Sequence, residues 1–307
     1  MKITVGIVSY NTRDLTCLCV ESVLKAIDQK HGIVVLADNG SSDGTLEAIS
    51  ARYPEVVLLS LPENPGYGGA LNQILSKHPA PYFLAMNSDV LVTSDTLAQM
   101  LIYLVAHPEC ALVGPSIKGT DGSIQTSCKR FPTLQSVLSE LLILDYLLPN
   151  NPWLSRFYYR DVSLEIPTIV ETVMGAIMLI RMEALIQIGG FDSRFWLYFE
   201  ETDLCRRLKN SGYTVAFVPQ ATAIHVHRAS TRQTMARQMD YYTSYAIYAQ
   251  KHFSQISKRI THLAIQLSTL FRMFILTIKF APITPMRKRE LNKKLGACVM
   301  LLKTLRT

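Results

Sequence analysis

Short apolar runs recur along the first third of the chain, and each hands over to a cluster of small polar side chains. Ile3 to Val8 runs into Ser9-Tyr10-Asn11, and Ile33 to Ala37 into Asp38-Asn39-Gly40-Ser41-Ser42-Asp43-Gly44-Thr45. Val56 to Leu61 precedes Glu63-Asn64-Pro65-Gly66-Tyr67-Gly68-Gly69-Ala70-Leu71-Asn72, and Tyr82 to Met86 delivers Asn87-Ser88-Asp89. Continuous apolar runs suit strands buried on both faces, and the stretches between them, such as Thr12 to Ile27, suit helices covering such a sheet. The alternation through residue 106 predicts a doubly wound sheet with a nucleotide-like ligand at the carboxyl ends of its strands.

Ala111 to Val113 continues the sheet, Asp121-Gly122 signals a hairpin, and Gln125 to Pro132 carries Lys129 and Arg130. A helix is expected from Leu134 to Leu148. The aromatic loop after it, through Trp153, Phe157, Tyr158 and Tyr159, either lids an acceptor or packs against the tail. Thr168 to Arg181 reads as a strand interrupted by Gly175, a bulge or a point of close ligand approach. After Gly189-Gly190-Phe191-Asp192, the aromatic run Phe195 to Phe199 leads into Glu200-Glu201-Thr202-Asp203, where a helix begins near Glu201. Tyr213 to Val218 is a further strand, and beyond it His225 and His227 share a face if the chain stays extended.

From Ile256 to Ile278 apolar residues return at three- and four-residue steps among Lys258, Arg259, Arg272 and Lys279, the pattern of an amphipathic helix. Its longest charge-free run, Ile260 to Phe271, has twelve residues, short of the roughly 20 that cross a bilayer. Leu295 to Leu302, after Arg287-Lys288-Arg289 and Lys293-Lys294, repeats the theme. Charge sharpens the picture. The chain carries +7, but Lys251 to Thr307 hold twelve basic residues against Glu290 alone, a net +11, which leaves −4 for residues 1–250. The expectation is a helix pair at residues 254–307 lying on an anionic membrane surface, with packing on the catalytic domain as the other reading. Nucleic acid is not expected, because no aromatics interleave with the basic residues as stacking surfaces.

With 307 residues, 49% hydrophobic and 18% charged, the chain fills a real core, which excludes dominant disorder. Six cysteines lie in apolar or helical stretches without metal-type spacing and read as reduced thiols. Met1 runs straight into the first strand, so no signal peptide is expected and the location expected is cytoplasmic.

The chemistry concentrates at three places. Asn87-Ser88-Asp89 ends a buried strand and either caps the helix beginning near Ser94 or offers Asp89 to a hard divalent cation, which needs only one or two carboxylates when a diphosphate completes its shell. Glu200, Glu201 and Asp203 crowd one helix start; they serve the helix dipole, or their repulsion beside aromatics raises a carboxyl's pKa and makes a general base. His225 and His227, with Arg228 and Ser230, suit contact with metal and phosphate. The dinucleotide fingerprint Gly-x-Gly-x-x-Gly and a Walker-type Gly-Lys-Ser/Thr are both missing, which argues against a dehydrogenase and a phosphate-loop ATPase.

These motifs, in this order, resemble the inverting glycosyltransferases of family 2, in particular the rhamnosyltransferase-like branch that extends bacterial cell-surface glycans. The match runs from about residue 3 to 230 and is carried by the set rather than by any one motif: Val8 to Asn11, Asp38 to Thr45, Asn64 to Gly69 with Asn72, Asn87 to Asp89, Gly189 to Asp192, Phe199 to Leu204, and His225. The resemblance implies a GT-A fold, an α/β Rossmann-like mixed sheet flanked by helices. Residues 1–250 would form that domain, 1–106 its nucleotide-sugar half and 107–250 its acceptor and catalytic half, with 251–307 a basic amphipathic helical tail.

It also implies a nucleotide-sugar site drawing on Ser9, Tyr10, Asn11, Asp38, Asn64, Gly66, Asn72, Asn87 and Ser88, with Asp38 at the pyrimidine base and Asn87 and Ser88 near the ribose. Asp89 corresponds to the metal-binding aspartate and His225 to a histidine completing the Mg²⁺ or Mn²⁺ site. Glu201 stands where the family usually has its catalytic Asp, with Asp203 as second choice. Asn87 replaces the first aspartate of the family's Asp-x-Asp, so one carboxylate rather than two faces the metal. The implied reaction is inverting transfer of a sugar, L-rhamnose from dTDP-rhamnose or another hexose or galactofuranose from a UDP-sugar, to a lipid-linked glycan at the inner membrane face. A nucleotidyltransferase lacks support, since no Gly-rich basic loop follows the first strand. A non-catalytic membrane-associated sugar-binding protein is the reading of a different class.

Overall fold

The computed structural model describes residues 2–27, 30, 32–141, 151, 156–226, 235–279 and 285–305. Nine strands form one sheet. Val57–Ser60 (β3), Gly32–Asp38 (β2), Ile3–Ser9 (β1) and Tyr82–Asn87 (β4) lie side by side and parallel. Ile177–Arg181 (β10) pairs antiparallel with β4 and with Cys110–Lys118 (β6). Thr214–His225 (β11) runs parallel to β6 and carries Val90–Leu91 (β5) and Thr168–Val170 (β8) antiparallel. Cys128–Lys129 (β7) and Thr172–Val173 (β9) make a separate ribbon.

The helices are, in chain order, Arg13–Ala26 (α1), Thr45–Arg52 (α2), Gly66–Lys77 (α3), Ser94–Ala106 (α4), Leu134–Leu141 (α5), Met182–Gln187 (α6), Glu200–Asn210 (α7), Met235–His252 (α8), Gln255–Lys279 (α9) and Pro285–Thr304 (α10). Successive strand side chains point to opposite faces, and both faces are covered. On one, Val5, Ile7, Leu84 and Met86 meet Val20 and Val23 of α1 and Met100 and Leu104 of α4; on the other, Phe83 and Ala85 meet Leu71 and Ile74 of α3 and Leu204 and Leu208 of α7. Two-sided burial is why the strands read as unbroken apolar runs.

The chain packs as two units. Met1–Phe131, Tyr158–Trp196 and Glu200–Ser230 form the first, around the sheet; Pro132–Phe157, Leu197–Phe199 and Thr231–Thr307 form the second. The second unit therefore begins well before the expected residue 251, because α8 packs with α9 and α10. Tyr241, Tyr245 and Tyr248 of α8 surround the Phe199 ring at centroid distances of 5.2, 4.7 and 5.6 Å. Helix α9 buries Thr261, Ile265, Thr269 and Leu276, while Ile256, Leu263, Leu267, Leu270, Phe271, Phe274 and Ile278 are exposed. Arg272 donates to the Tyr242 hydroxyl at 2.9 Å and lies over its ring. By length and composition alone, α9 over Gln255–Ile278 is long and apolar enough to cross a membrane, although its charge-free run stays at twelve residues.

Other expectations are adjusted by pairing. Thr168 to Arg181 is three short strands that share no partner rather than one interrupted strand. β11 continues through Pro219 with a register shift between Val218 and Thr222, and so carries His225 to its end. Tyr158 and Tyr159 belong to the first unit, with Lys129 over the Tyr158 ring and Arg130 over the Tyr159 ring. Trp153, His227, Arg228, Ser230 and the expected helical residues beyond Leu141 lie outside the described residues. All six cysteines are buried and free.

The helix after β5 is capped by Thr93, whose Oγ1 accepts from the Thr96 amide at 3.2 Å while Thr96 Oγ1 accepts from the Thr93 amide at 3.0 Å. Thr93, and not Asn87-Ser88-Asp89, is therefore the cap of α4. Thr93→Ala should lower stability by about 1 kcal/mol in urea denaturation, with the slope unchanged.

Candidate active site

The carboxyl ends of β1 and β2 are laced together. Asp38 Oδ1 accepts from the hydroxyls of Ser9 at 2.8 Å and Ser41 at 2.5 Å, and its Oδ2 accepts from the Ser41 amide at 2.8 Å. Asn11, at φ 51°, donates its amide to Ser41 Oγ and accepts the Ser42 amide, both at 2.8 Å. Two polar loops thus hold one another and present a fixed rim, with Tyr10 exposed upon it. Ser88 is buried, its hydroxyl 2.8 Å from that of Thr12.

The Gly-rich turn opening α3 is engaged by its own fold. Gly66 has φ +78°, and a Cβ there would stand 2.2 Å from the Trp196 carbonyl oxygen. Tyr67 N donates to that same oxygen at 3.1 Å, and the Trp196 indole donates to the Asn64 carbonyl at 3.0 Å. Asn72, expected at the donor, uses both ends of its amide on the Phe191 backbone, at 2.8 and 2.9 Å. Asn64, Gly66 and Asn72 therefore anchor the 190–196 segment.

Asp89 and His225 meet where β5 pairs with the end of β11. Both are buried, and Asp89 Oδ1 lies 3.3 Å from His225 Nε2. Val226 N donates to the Asp89 carbonyl at 2.9 Å, which pins the two backbones. A carboxylate oxygen and an imidazole nitrogen aimed at each other form a donor set that Mn²⁺ or Mg²⁺ accepts. Among the described residues no three or more His, Cys, Asp or Glu are arranged to hold a metal ion, so a cation on this pair needs oxygens from elsewhere, such as a diphosphate and water.

The second acidic group sits nearby through a shared neighbour. Asn87 N donates to the Ala176 carbonyl at 2.9 Å, while a Cβ on Gly175 would lie 3.2 Å from Glu201 Cβ. Gly175 thus marks the close approach of Glu201, where a ligand had been considered. Tyr67, buried among the glycines, donates its hydroxyl to the Gly175 carbonyl at 2.9 Å. Burial first, then the charges of Glu200, Glu201 and Asp89, push the Tyr67 phenol well above its ordinary pKa. Tyr67 is thus the common neighbour of all three acids, a residue sequence reasoning quoted in a motif but did not assign.

Glu200 is buried, with no partner for its Oε2. Burial, followed by the charge of Glu201, raises its pKa well above the usual carboxylate range. Glu201 is half-buried; burial raises its pKa as well, against the pull of its own and Thr202's backbone amides, the Thr202 hydroxyl and Lys129. Asp203 is sealed from solvent and accepts from Arg207 Nε at 2.7 Å one turn along α7, while Arg207 Nη1 donates to the Ile188 carbonyl. That geometry suits Asp203 to holding the helix rather than moving a proton. The backbone entering α7 is forced too: Tyr198 and Phe199 have φ of 68° and 67°, where bulky residues are uncommon.

With this geometry in place, likeness to known proteins becomes specific. The family model for glycosyl transferase family 2 matches residues 4–189, and one described as the N-terminal domain of galactosyltransferase matches residues 159–230. This chain belongs to glycosyl transferase family 2; it is a glycosyltransferase with the GT-A fold. An N-acetylglucosaminyl-diphospho-decaprenol L-rhamnosyltransferase of Mycobacterium tuberculosis is 32% identical over 234 residues, covering 71% of this chain and 75% of its own length. Rhamnosyltransferase WbbL of Escherichia coli K12 is 26% identical over 157 residues, 51% of this chain and 56% of that one. The mannosyltransferase PcManGT from Pyrobaculum calidifontis, solved with GDP-Man and Mn²⁺, superposes with a TM-score of 0.58 at 18% identity, covering 99% of this chain and 82% of that chain.

Breaking the buried pair on α7 tests its structural role. Asp203→Asn, which leaves Arg207 without its counter-charge, should cost about 3–5 kcal/mol, read as a fall in thermal midpoint.

Proposed function

We propose that the protein is a metal-dependent inverting rhamnosyltransferase, moving L-rhamnose from dTDP-rhamnose to a lipid-linked glycan at the inner face of the membrane. The observation that supports this reading is the buried Asp89–His225 pair at 3.3 Å, with Asn87, two residues before Asp89, bonded to the Ala176 carbonyl and Glu201 packed on the neighbouring Gly175. Donor and acceptor chemistry is supported by the mycobacterial relative, whose name specifies rhamnosyl transfer to a diphospho-decaprenol-linked sugar.

Asp89 and His225 would hold the cation, which when bound supplies positive charge to the departing diphosphate. The rim of Ser9, Asn11, Asp38 and Ser88 receives the nucleoside. Glu201 takes the proton from the acceptor hydroxyl as that oxygen attacks the anomeric carbon, a role favoured by its raised pKa. A single displacement inverts the centre. Glu200, held neutral by burial and its neighbour, keeps a second full negative charge away from the base.

The outward stripe of α9 supports membrane contact. Its packed face mixes Thr261 and Thr269 with Ile265 and Leu276, whereas Ile256, Leu263, Leu267, Leu270, Phe271, Phe274 and Ile278 face outward, more apolar surface than a helix selected for water displays. With one face committed to the second unit, α9 lies along a bilayer rather than through it.

Glu201→Gln should lower kcat by about 10²–10⁴-fold with little change in donor KM, measured as nucleotide release. Because only ionised Glu201 accepts the proton, activity falls as pH drops through its raised pKa, so the acid limb of kcat/KM should lie above the ordinary carboxylate value. Asp89→Ala should abolish metal-dependent release. Full activity in either variant would refute the assignment. On anionic vesicles, the protein should float with lipid, and Leu263→Ser with Leu267→Ser and Phe274→Ser should leave it in the aqueous fraction with its fold intact.

A further inference from the structure

Gln125 stands a hundred residues from His225 in the chain and clasps it twice. Its amide Nε2 donates to the His225 carbonyl oxygen at 3.1 Å, and its Oε1 lies 3.0 Å from His225 Nδ1. A carbonyl only accepts, which fixes the amide with its nitrogen on the backbone and its oxygen on the ring. An amide oxygen also only accepts, so Nδ1 must carry hydrogen, and in the neutral ring Nε2 then presents its lone pair. That lone pair faces Asp89 Oδ1 at 3.3 Å. Two acceptors buried at this distance repel each other unless a positive charge joins them.

Gln125 is itself firmly mounted. Its amide donates to the Ile117 carbonyl at 2.9 Å, its carbonyl accepts from Ser127 Oγ at 3.0 Å, and Ser127 Oγ in turn accepts from the Ile117 amide at 3.0 Å. The clasp is therefore backed by β6, a central strand, and not by the exposed turn at Asp121-Gly122. A ligating histidine characteristically donates its other ring N–H to such a fixed oxygen, which sets its tautomer and aim.

We infer that Gln125 is a positioning residue of the cation site, holding His225 in the Nδ1–H tautomer with Nε2 directed toward Asp89 and a divalent cation. The inference rests on the cation reading of the Asp89–His225 pair given above. A Gln125 that merely stapled the β6–β7 connection to β11 would affect stability but not the proton's place on the ring.

The test combines two measurements that do not depend on turnover. Nitrogen-15 histidine NMR of the metal-free protein at mildly alkaline pH, with His225 assigned by its loss in His225→Gln, should show hydrogen on Nδ1 and none on Nε2. Wild-type protein carrying Nε2–H would overturn the inference, whatever the variants do. Mn²⁺ titration in the presence of dTDP or UDP, followed by the electron resonance of free Mn²⁺, should show affinity falling roughly 10–100-fold in Gln125→Met, together with loss of the single-tautomer signal. Gln125→Glu keeps an acceptor for Nδ1–H but loses the donor to the His225 carbonyl, and should restore the single-tautomer signal. Unchanged affinity in Gln125→Met beside lost binding in Asp89→Ala would overturn this inference alone. Wild-type affinity in Asp89→Ala would overturn the cation reading, and this inference with it.

Discussion

Negative charge gathered at one edge of a sheet is the constraint that the rest of the first unit answers. Asp38, Asp89, Glu200, Glu201 and Asp203 all come to the carboxyl side or to the helix start beside it, and each is relieved by a different means. Asp38 is satisfied by two hydroxyls and an amide, Asp203 by a guanidinium, and Glu200 answers burial with a pKa pushed well up. Asp89 is set against an imidazole, and Glu201 keeps a part of its surface in solvent with Lys129 within electrostatic reach. These two are the acids to which the proposed reaction gives its work: Asp89 to a cation, and Glu201, its pKa raised by burial, to a proton.

Bringing those groups together demands that backbones approach closely, and glycine supplies the room. Gly175 lets Glu201 lie against the start of β10, and Gly66 lets the Trp196 carbonyl sit over the opening of α3. Tyr67 ties the two places, its amide on Trp196 and its hydroxyl on Gly175. The Asn-Pro-Gly-Tyr-Gly-Gly turn thus shapes the site from behind, with its first amide already used within the protein.

Most of the first unit was legible in the sequence because strands buried on both faces leave continuous apolar runs, and polar residues at their ends mark the binding edge. Asp89, Glu201 and His225 stood out for the same reason, as chemistry placed where a sheet meets its ligand. The failures have physical causes. Thr168 to Arg181 looks like one strand because apolar composition does not say which partner each piece pairs with. Asn72 carries an amide equally fit for a sugar or for the Phe191 backbone, and only the tertiary fold decides. Asp203 was separable in principle, since Arg207 one helical turn later announces an ion pair. Gln125 left no signal at all: its partner lies a hundred residues away, and a lone glutamine in a hairpin carries no pattern.

The apolar outward face of α9 also determines how the protein behaves as a colloid. Like-charge repulsion among basic tails keeps molecules apart at low ionic strength, but the outward stripe itself is mostly Ile, Leu and Phe, with Arg259 exposed near its start. Added salt shortens the reach of that repulsion and leaves the apolar contact undiminished. Raised salt and concentration therefore favour contacts that bury this apolar stripe over contacts between charged residues.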